Sequence, residues 1–215
     1  MTCLKKYQSS EEAVEDHKKN YNSRGDAKGK YKPDAPDAKR IKYIRDQIPD
    51  GSTVLDIGCN DGGLGVLLQK RGCVVFGVDC VKQLVKISVA KGLLAHVGEA
   101  ENLPFDDEKF ERVVLAEVLE HLFDPLKGLR EIHRVLQPEG VFVGSVPHNV
   151  GNMGEGKKAD YHHWVFSQDD LRKLLTTFFE NIEIVETPYS EQFCIEENID
   201  PTVPQWYNFK AWGKK

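Results

Sequence analysis

Residues Val54 to Gly65, reading VLDIGCNDGGLG, constrain the fold more than any other stretch. They join a short apolar strand to a glycine-rich turn and then to an apolar helix. Val54, Leu55 and Ile57 supply the aliphatic run, and Gly58 lets the backbone turn where a side chain would clash. A strand, a tight turn and a helix in that order read as a ligand-binding loop of an α/β sheet.

Charge narrows the ligand. A loop that cradles a pyrophosphate offers bare N–H groups to a doubly negative group. Here Asp56 and Asp61 bracket the turn. Two carboxylates oppose a pyrophosphate but suit a ligand carrying an ammonium and a sulfonium, which is S-adenosylmethionine. Gly58, Asn60 and Gly63 make only a degraded G-x-G-x-x-G, so an NAD-dependent oxidoreductase is disfavoured. A second apolar run, Val74 to Val78, ends on Asp79, 21 positions after Gly58. A carboxylate at that place accepts hydrogen bonds from vicinal ribose hydroxyls.

Helices and strands alternate along the chain. The pattern predicts helices at Ser10 to Asn20, Asp37 to Gln47, Leu64 to Arg71 and Val81 to Lys91, and strands at Val74 to Asp79, Ala95 to Gly98 and Arg112 to Ala116. Asp124 caps a helix that begins at Pro125 and ends before Pro138-Glu139-Gly140. Val141 to Val146 is the fifth strand. Ser167 and Asp170 form a capping box ahead of Leu171, Leu174, Leu175 and Phe178. Ser23 to Pro36 and Gly151 to Lys158 read as mobile loops.

Four blocks, DIGCNDGG, GVD, VGEAENLPFDDEKFERVVLAEVLEHL and LREIHRVLQPEGVFVGSVP, resemble the class I S-adenosylmethionine-dependent methyltransferases in order and spacing, from about Ile44 to Phe179. The resemblance implies a Rossmann-like, doubly wound α/β sheet of seven mostly parallel strands. Ile182 to Glu186 and Trp206 to Trp212 would close it as an antiparallel edge hairpin. Residues 1–40 are expected to form an N-terminal helical arm or lid, with Pro188 to Pro204 as a second lid segment, and residues 41–215 the methyltransferase domain. S-adenosylmethionine is the implied cofactor and S-adenosylhomocysteine the product. The family has glycine where this chain has Asn60, a residue that tolerates the left-handed conformation.

Ligands of open α/β sheets bind beyond the carboxyl ends of the strands. The cofactor candidates are therefore Asp56, Gly58, Cys59 and Asn60, then Asp79 and Cys80, then Glu99 and Ala100, then Glu117. The resemblance places an Asp at Glu99 against the adenine amino group, with the Ala100 amide beside it. Leu103, Pro104 and Phe105 read as packing. In Glu117-Val-Leu-Glu120-His121, a helical turn would put two carboxylates and an imidazole on one face. That set suits a divalent metal, and the string is similar to metal-using relatives among small-RNA 2′-O-methyltransferases and ubiquinone-pathway O-methyltransferases. His148 or Asn149 would add the fourth ligand. Three roles for His121 stay open: metal ligand, general base or packing. His148 and His162 are the other candidate bases, and Tyr161, His162, His163 and Trp164 the candidate substrate wall.

The 215 residues with 40% hydrophobic content suit one domain with extensions. Net charge is −5, with residues 1–50 at +3 and the rest at −8, which argues against broad nucleic-acid binding. The five cysteines form no C-x-x-C pair and read as reduced thiols. Apolar runs are too short to span a membrane, so a cytoplasmic protein with no membrane partner is expected. No serine stands in G-x-S-x-G and no Walker motif occurs. The expected reaction is O-methylation of a small-molecule hydroxyl. A metal-dependent RNA 2′-O-methyltransferase and a non-catalytic S-adenosylmethionine-binding module are the alternatives. Oligomeric state is not read from the sequence.

Overall fold

Period-two alternation in the predicted strands decides which side chains face which layer. The computed structural model describes residues 2–3, 7–22, 37–148, 162–198 and 200–215. Its central sheet has seven strands: β2 (Thr53–Ile57), β3 (Val74–Asp79), β4 (Leu94–Val97), β5 (Phe110–Ala116), β6 (Leu136–Pro147), β8 (Phe179–Thr187) and β9 (Trp206–Lys214), in the order β4-β3-β2-β5-β6-β9-β8. The pairings from β4 to β6 are parallel, and β9 runs antiparallel to both β6 and β8. A two-residue ribbon, β1 (Thr2–Cys3) with β7 (Trp164–Val165), lies apart from it.

Alternate residues divide between two cores. Leu55, Ile57, Val113, Leu115 and Phe142 face one layer with Leu129 and Ile132 of α5 (Pro125–Val135) and Leu171 and Leu175 of α6 (Gln168–Leu175). Val54, Val114 and Val143 face the other, with Ile41 and Ile44 of α2 (Ala38–Asp46) and Leu64 and Leu68 of α3 (Gly63–Gln69). The sheet is thus covered on both faces, and α4 (Lys82–Ala90) links β3 to β4. Strand order reverses between β2 and β5, which opens the crevice where such sheets bind ligands. The residue-40 boundary expected for the arm falls inside α2.

Helix ends follow the expected caps. Asp124 accepts from Leu126 N at 3.0 Å and Lys127 N at 3.2 Å, with Pro125 in the first turn. The Ser167/Asp170 capping box closes in both directions. Several local details differ from expectation. β6 already begins at Leu136, because the register shifts between Phe110 and Arg112 and Gln137 to Gly140 are absorbed as a bulge. The 188–204 segment contains a helix, α7 (Glu191–Glu197), that no capping pattern announced, and Phe178 falls just beyond α6. The expected loops at Ser23 to Pro36 and Gly151 to Lys158 lie outside the described residues. No helix among the described residues is long and apolar enough to cross a membrane.

Phe142 is fully buried, with ring centroids 5.8 Å from Phe179 and 5.1 Å from Phe209. Phe142→Ala should therefore destabilise the fold by about 3–5 kcal/mol in urea melts. A loss under about 1 kcal/mol would contradict this packing.

Candidate active site

The glycine turn after β2 is pinned to β3 by its backbone. Gly58 N and Cys59 N both donate to Val78 O, at 2.7 and 3.0 Å. Gly58 has φ +72°, and a Cβ there would lie 2.3 Å from Val118 Cγ2, so glycine is required on two counts. Asn60 takes the left-handed conformation at φ +52°. Its N–H donates to Asp79 Oδ2 at 2.9 Å, and its Oδ1 accepts from Asp61 N at 2.7 Å, so Asn completes the turn with its own side chain. Cys59 is turned inward: Gly77 leaves room for it, since a Cβ there would lie 2.8 Å from its Sγ. With its amide on Val78 and its carbonyl accepting from Gly62 N, Cys59 serves the turn itself.

The charge argument shifts to one residue. Asp61 Oδ2 pairs with Lys91 Nζ at 2.7 Å and its Oδ1 accepts from Gly63 N at 3.2 Å, so its charge is already met by the protein. Asp56 is 3% exposed, and no hydrogen bond to its carboxylate contributes to its electrostatics among the described residues. Burial, with Asp79 nearby, pushes its carboxyl up to about 7. Asp79 is also raised by burial, against the opposing pull of the Val81 and Asn60 amides. A buried carboxylate without a partner, beside a turn that only glycine can make, fits a cofactor carrying an ammonium and a ribose. Cys80 follows, its thiol pushed up to about 12 by burial and by Asp79.

Beyond β4, Glu99 and Ala100 turn back on the strand end. Asn102 N donates to Glu99 O at 3.1 Å. Ser10 Oγ, on α1 (Ser10–Asn22), donates to Glu99 Oε2 at 3.3 Å, so the arm reaches the place expected for adenine. Near by, Tyr7 sets its ring 4.2 Å from that of His163.

Glu117, just past β5, does not open a helix. It sits at φ +57°, and only Leu119–His121 form a single 3-10 turn. Its carboxylate therefore leaves the face of Glu120 and accepts from Ser145 Oγ at 2.8 Å and Trp206 Nε1 at 2.9 Å. Burial raises its carboxyl, while Arg40, Ser145 and Trp206 oppose the rise. Arg40, Asp37, Ser145 and Trp206 were not among the residues expected from sequence. The readable signal was Arg40 itself, a cation adjacent to Ile41 and in phase with Ile44 on the apolar stripe of α2.

The metal-type cluster is Glu120, His121 and His162, whose ligand atoms all lie within 4.8 Å of one another. His163 N donates to Glu120 O at 2.8 Å, which brings the His162 ring to 4.9 Å from that of His121. His162 and His163 diverge, as adjacent side chains do. Trp164 Nε1 donates to Leu122 O at 2.8 Å and Phe166 is in the core, so both anchor the segment. His162 takes the place expected for His148. The latter lies within 3.1 Å of Glu186 Oε1 and 4.4 Å from the Tyr207 ring. Asn149 and Tyr161 are outside the described residues. Both Glu120 carboxylate oxygens are buried without a hydrogen-bond partner among the described residues. One oxygen donor and two imidazoles fit a divalent cation.

The family model described as a methyltransferase domain matches residues 55–144, the span from the glycine turn through the β5 and β6 sites. Residues 55–144 of this chain form a class I S-adenosylmethionine-dependent methyltransferase domain. It is 31% identical over 118 residues to a ubiquinone biosynthesis O-methyltransferase of Coxiella burnetii, covering 51% of this chain and 50% of that one. It is 29% identical over 169 residues to a tRNA (carboxymethyluridine(34)-5-O)-methyltransferase of Arabidopsis thaliana, covering 77% of this chain and 34% of that one. The chain thus spans half or less of these relatives. A Thermotoga maritima S-adenosylmethionine-dependent methyltransferase shares the fold, with a TM-score of 0.67 and 21% identity over 81% of this chain and 87% of that one.

Asp56 generates a pH prediction for this methyltransferase. Its folded value of about 7 stands above the ordinary value of about 3.9. The stabilisation from its protonated form is therefore complete below about pH 4 and lost as pH rises through about 7. Asp56→Asn should raise the melting temperature of the ligand-free protein by at least about 4 °C at pH 8 and leave it nearly unchanged at pH 5. The same variant should weaken S-adenosylhomocysteine about tenfold at pH 8. Equal melting shifts at both pH values would count against it.

Proposed function

We propose that this methyltransferase moves the S-adenosylmethionine methyl group to a hydroxyl oxygen of a small-molecule acceptor, with the His121–His162 pair receiving the hydroxyl proton. The observation that carries the reading is the pairing of two imidazoles against the buried Glu120 carboxylate just beyond β5, the strand next to the cofactor turn.

Methyl transfer is an in-line displacement at an activated carbon, so alignment supplies much of the rate. The acceptor oxygen forms the bond to the methyl carbon, and the sulfonium keeps the electron pair of the bond that breaks, becoming the thioether of S-adenosylhomocysteine. An alcohol is a poor nucleophile until its proton is leaving. A neutral imidazole of the pair takes that proton and passes it to water. Glu120 Oε1, 3.7 Å from His121 Nε2, stabilises the imidazolium that forms. Asp56 and Asp79 hold the ammonium and ribose ends of the cofactor, and Glu99 with Ala100 meets the adenine. The arm, through Ser10 and Tyr7, covers both and keeps water from the sulfonium.

Glu120, His121 and His162 would also hold a divalent cation, which when bound lowers the pKa of a coordinated hydroxyl. The buried Glu120 oxygens, without a hydrogen-bond partner among the described residues, favour this second, metal-dependent form. The tRNA-modifying relative extends it to an RNA hydroxyl as acceptor.

His162→Ala should lower kcat about 100-fold or more while S-adenosylhomocysteine affinity stays within about threefold. The assay is S-adenosylhomocysteine release with a panel of hydroxylated metabolites and with total tRNA. Unchanged turnover in the variant would remove the proton-acceptor role. Activity abolished by chelator and restored by added Mg²⁺ or Zn²⁺ would select the metal-dependent form. Release with tRNA alone would move the acceptor to RNA.

A further inference from the structure

The two edges of the sheet are finished differently. At one edge, β8 carries Glu180, Glu183 and Glu186, and Arg172 Nη1 donates to Ile182 O at 3.2 Å. Charged side chains and a covered carbonyl are the usual protection of an open strand. At the other edge, β4 reads Leu94-Ala95-His96-Val97 and carries no lysine, carboxylate or proline. Leu94 on one face and Val97 on the other are 50% and 53% exposed. Val89 of α4 is exposed to the same degree, at 50%. It stands about 200° round the helix from Lys91. Lys91 reaches Asp61, just before α3, so Val89 is on the opposite flank, towards the open edge.

The main chain of β4 is only half used. Gly98 N donates to Asp79 O at 3.1 Å, and Asp79 pairs with Val97 in the parallel register. Leu94, His96 and Gly98 therefore turn their N–H and C=O groups to β3, and Ala95 and Val97 turn theirs outward. No strand among the described residues lies beyond β4 to receive them.

We propose that β4 is the interface of a two-fold dimer, in which a second copy of this chain adds its own β4 antiparallel to the first. One register fits. With His96 opposite the same residue of the other copy, Ala95 of each chain faces Val97 of the other and exchanges both N–H···O bonds with it, so every outward group is met. A shift one way would call on Leu93, whose N–H already donates to Ser88 O, and a shift the other way on Glu99, whose carbonyl already accepts from Asn102 N. In the fitting register Leu94 faces Gly98 of the other copy, where the missing side chain leaves room for it, and Val97 packs beside Ala95. The two-fold axis also brings the Val89 flanks of both α4 helices to the same face of the joined sheet. A strand of unrelated sequence would find the same N–H and C=O groups, but the pairing of Leu94 with Gly98 and of Ala95 with Val97 is matched by the chain to itself.

The test combines sedimentation of the whole chain with cysteine pairing. The wild-type protein should sediment as a dimer with a Kd of about 10 μM or tighter. His96→Lys sets like charges opposite each other at the axis and should weaken dimerisation at least about tenfold. His96 is exposed, so this variant should keep the wild-type circular dichroism, and Ile195→Lys, at an exposed position on α7, should leave the dimer unchanged. The Cα atoms of the two residues 96 would lie about 5 Å apart, so His96→Cys should form a covalent dimer under mild oxidation. Leu94→Cys should not, because the two residues 94 would stand about 13 Å apart along the strands. Wild-type protein with its native cysteines is the blank. A wild-type chain that stays monomeric at about ten times that Kd would overturn the proposal and leave the edge to a strand of another protein. A dimer that survives His96→Lys, or that cross-links as readily through Leu94→Cys, would overturn it as well.

Discussion

The rest of the site depends on carboxylates held out of water along the carboxyl ends of adjacent strands. Asp56, Asp79 and Glu120 are buried and Glu117 is half-buried, and burial is the leading cause that raises each of them. Raising a carboxyl from about 3.9 to about 7 corresponds to roughly 4 kcal/mol of lost preference for the charged form. The sheet bears this because its two apolar layers are built elsewhere, from side chains that alternate above and below the same strands. A cationic ligand reverses the sign of the arrangement. It converts groups that oppose folding when alone into groups that bind, so cofactor binding and stability are coupled through the same residues.

The turn after β2 decides where those carboxylates meet the ligand. Two amides donating to Val78 O tie β2 to β3 and close the loop before any ligand is considered. Gly58 is needed for the positive φ and for the space that Val118 fills. Asn60 supplies the next left-handed residue and compensates with its own side chain. Because Asp79 anchors the Asn60 amide with one oxygen and the Val81 amide with the other, its carboxylate is oriented by the protein's own backbone. That preorganisation limits what the ligand must order on binding.

What could be read in the sequence follows from how local the physics is. Strands β2 and β5 were legible because a residue's neighbours at i+2 already tell which layer it faces. Asp56, Gly58 and Asp79 were legible because backbone conformation and strand position fix them. Asp61 misled because its partner, Lys91, sits 30 residues away on the far side of α4. Arg40 and Glu117 were harder still. Their partners Ser145 and Trp206 lie 105 and 89 residues along the chain, brought in only when β9 inserts between β6 and β8. The E-x-x-E-H string suggested one helical face, but a single left-handed residue at Glu117 split its two carboxylates between separate networks.

That split has a chemical consequence. On one helical face, Glu117 and Glu120 would compete for the same cation; even turned apart, the charge of Glu117 still helps to raise the Glu120 carboxyl. Turned apart, Glu117 joins Arg40, Ser145 and Trp206, while Glu120 joins His121 and His162. The two carboxylates then belong to separate networks, with the 3-10 turn between them. A backbone angle at one residue thereby sets the two carboxylates in separate networks, so a change in the histidine cluster leaves the contacts of Glu117 with Ser145 and Trp206 in place.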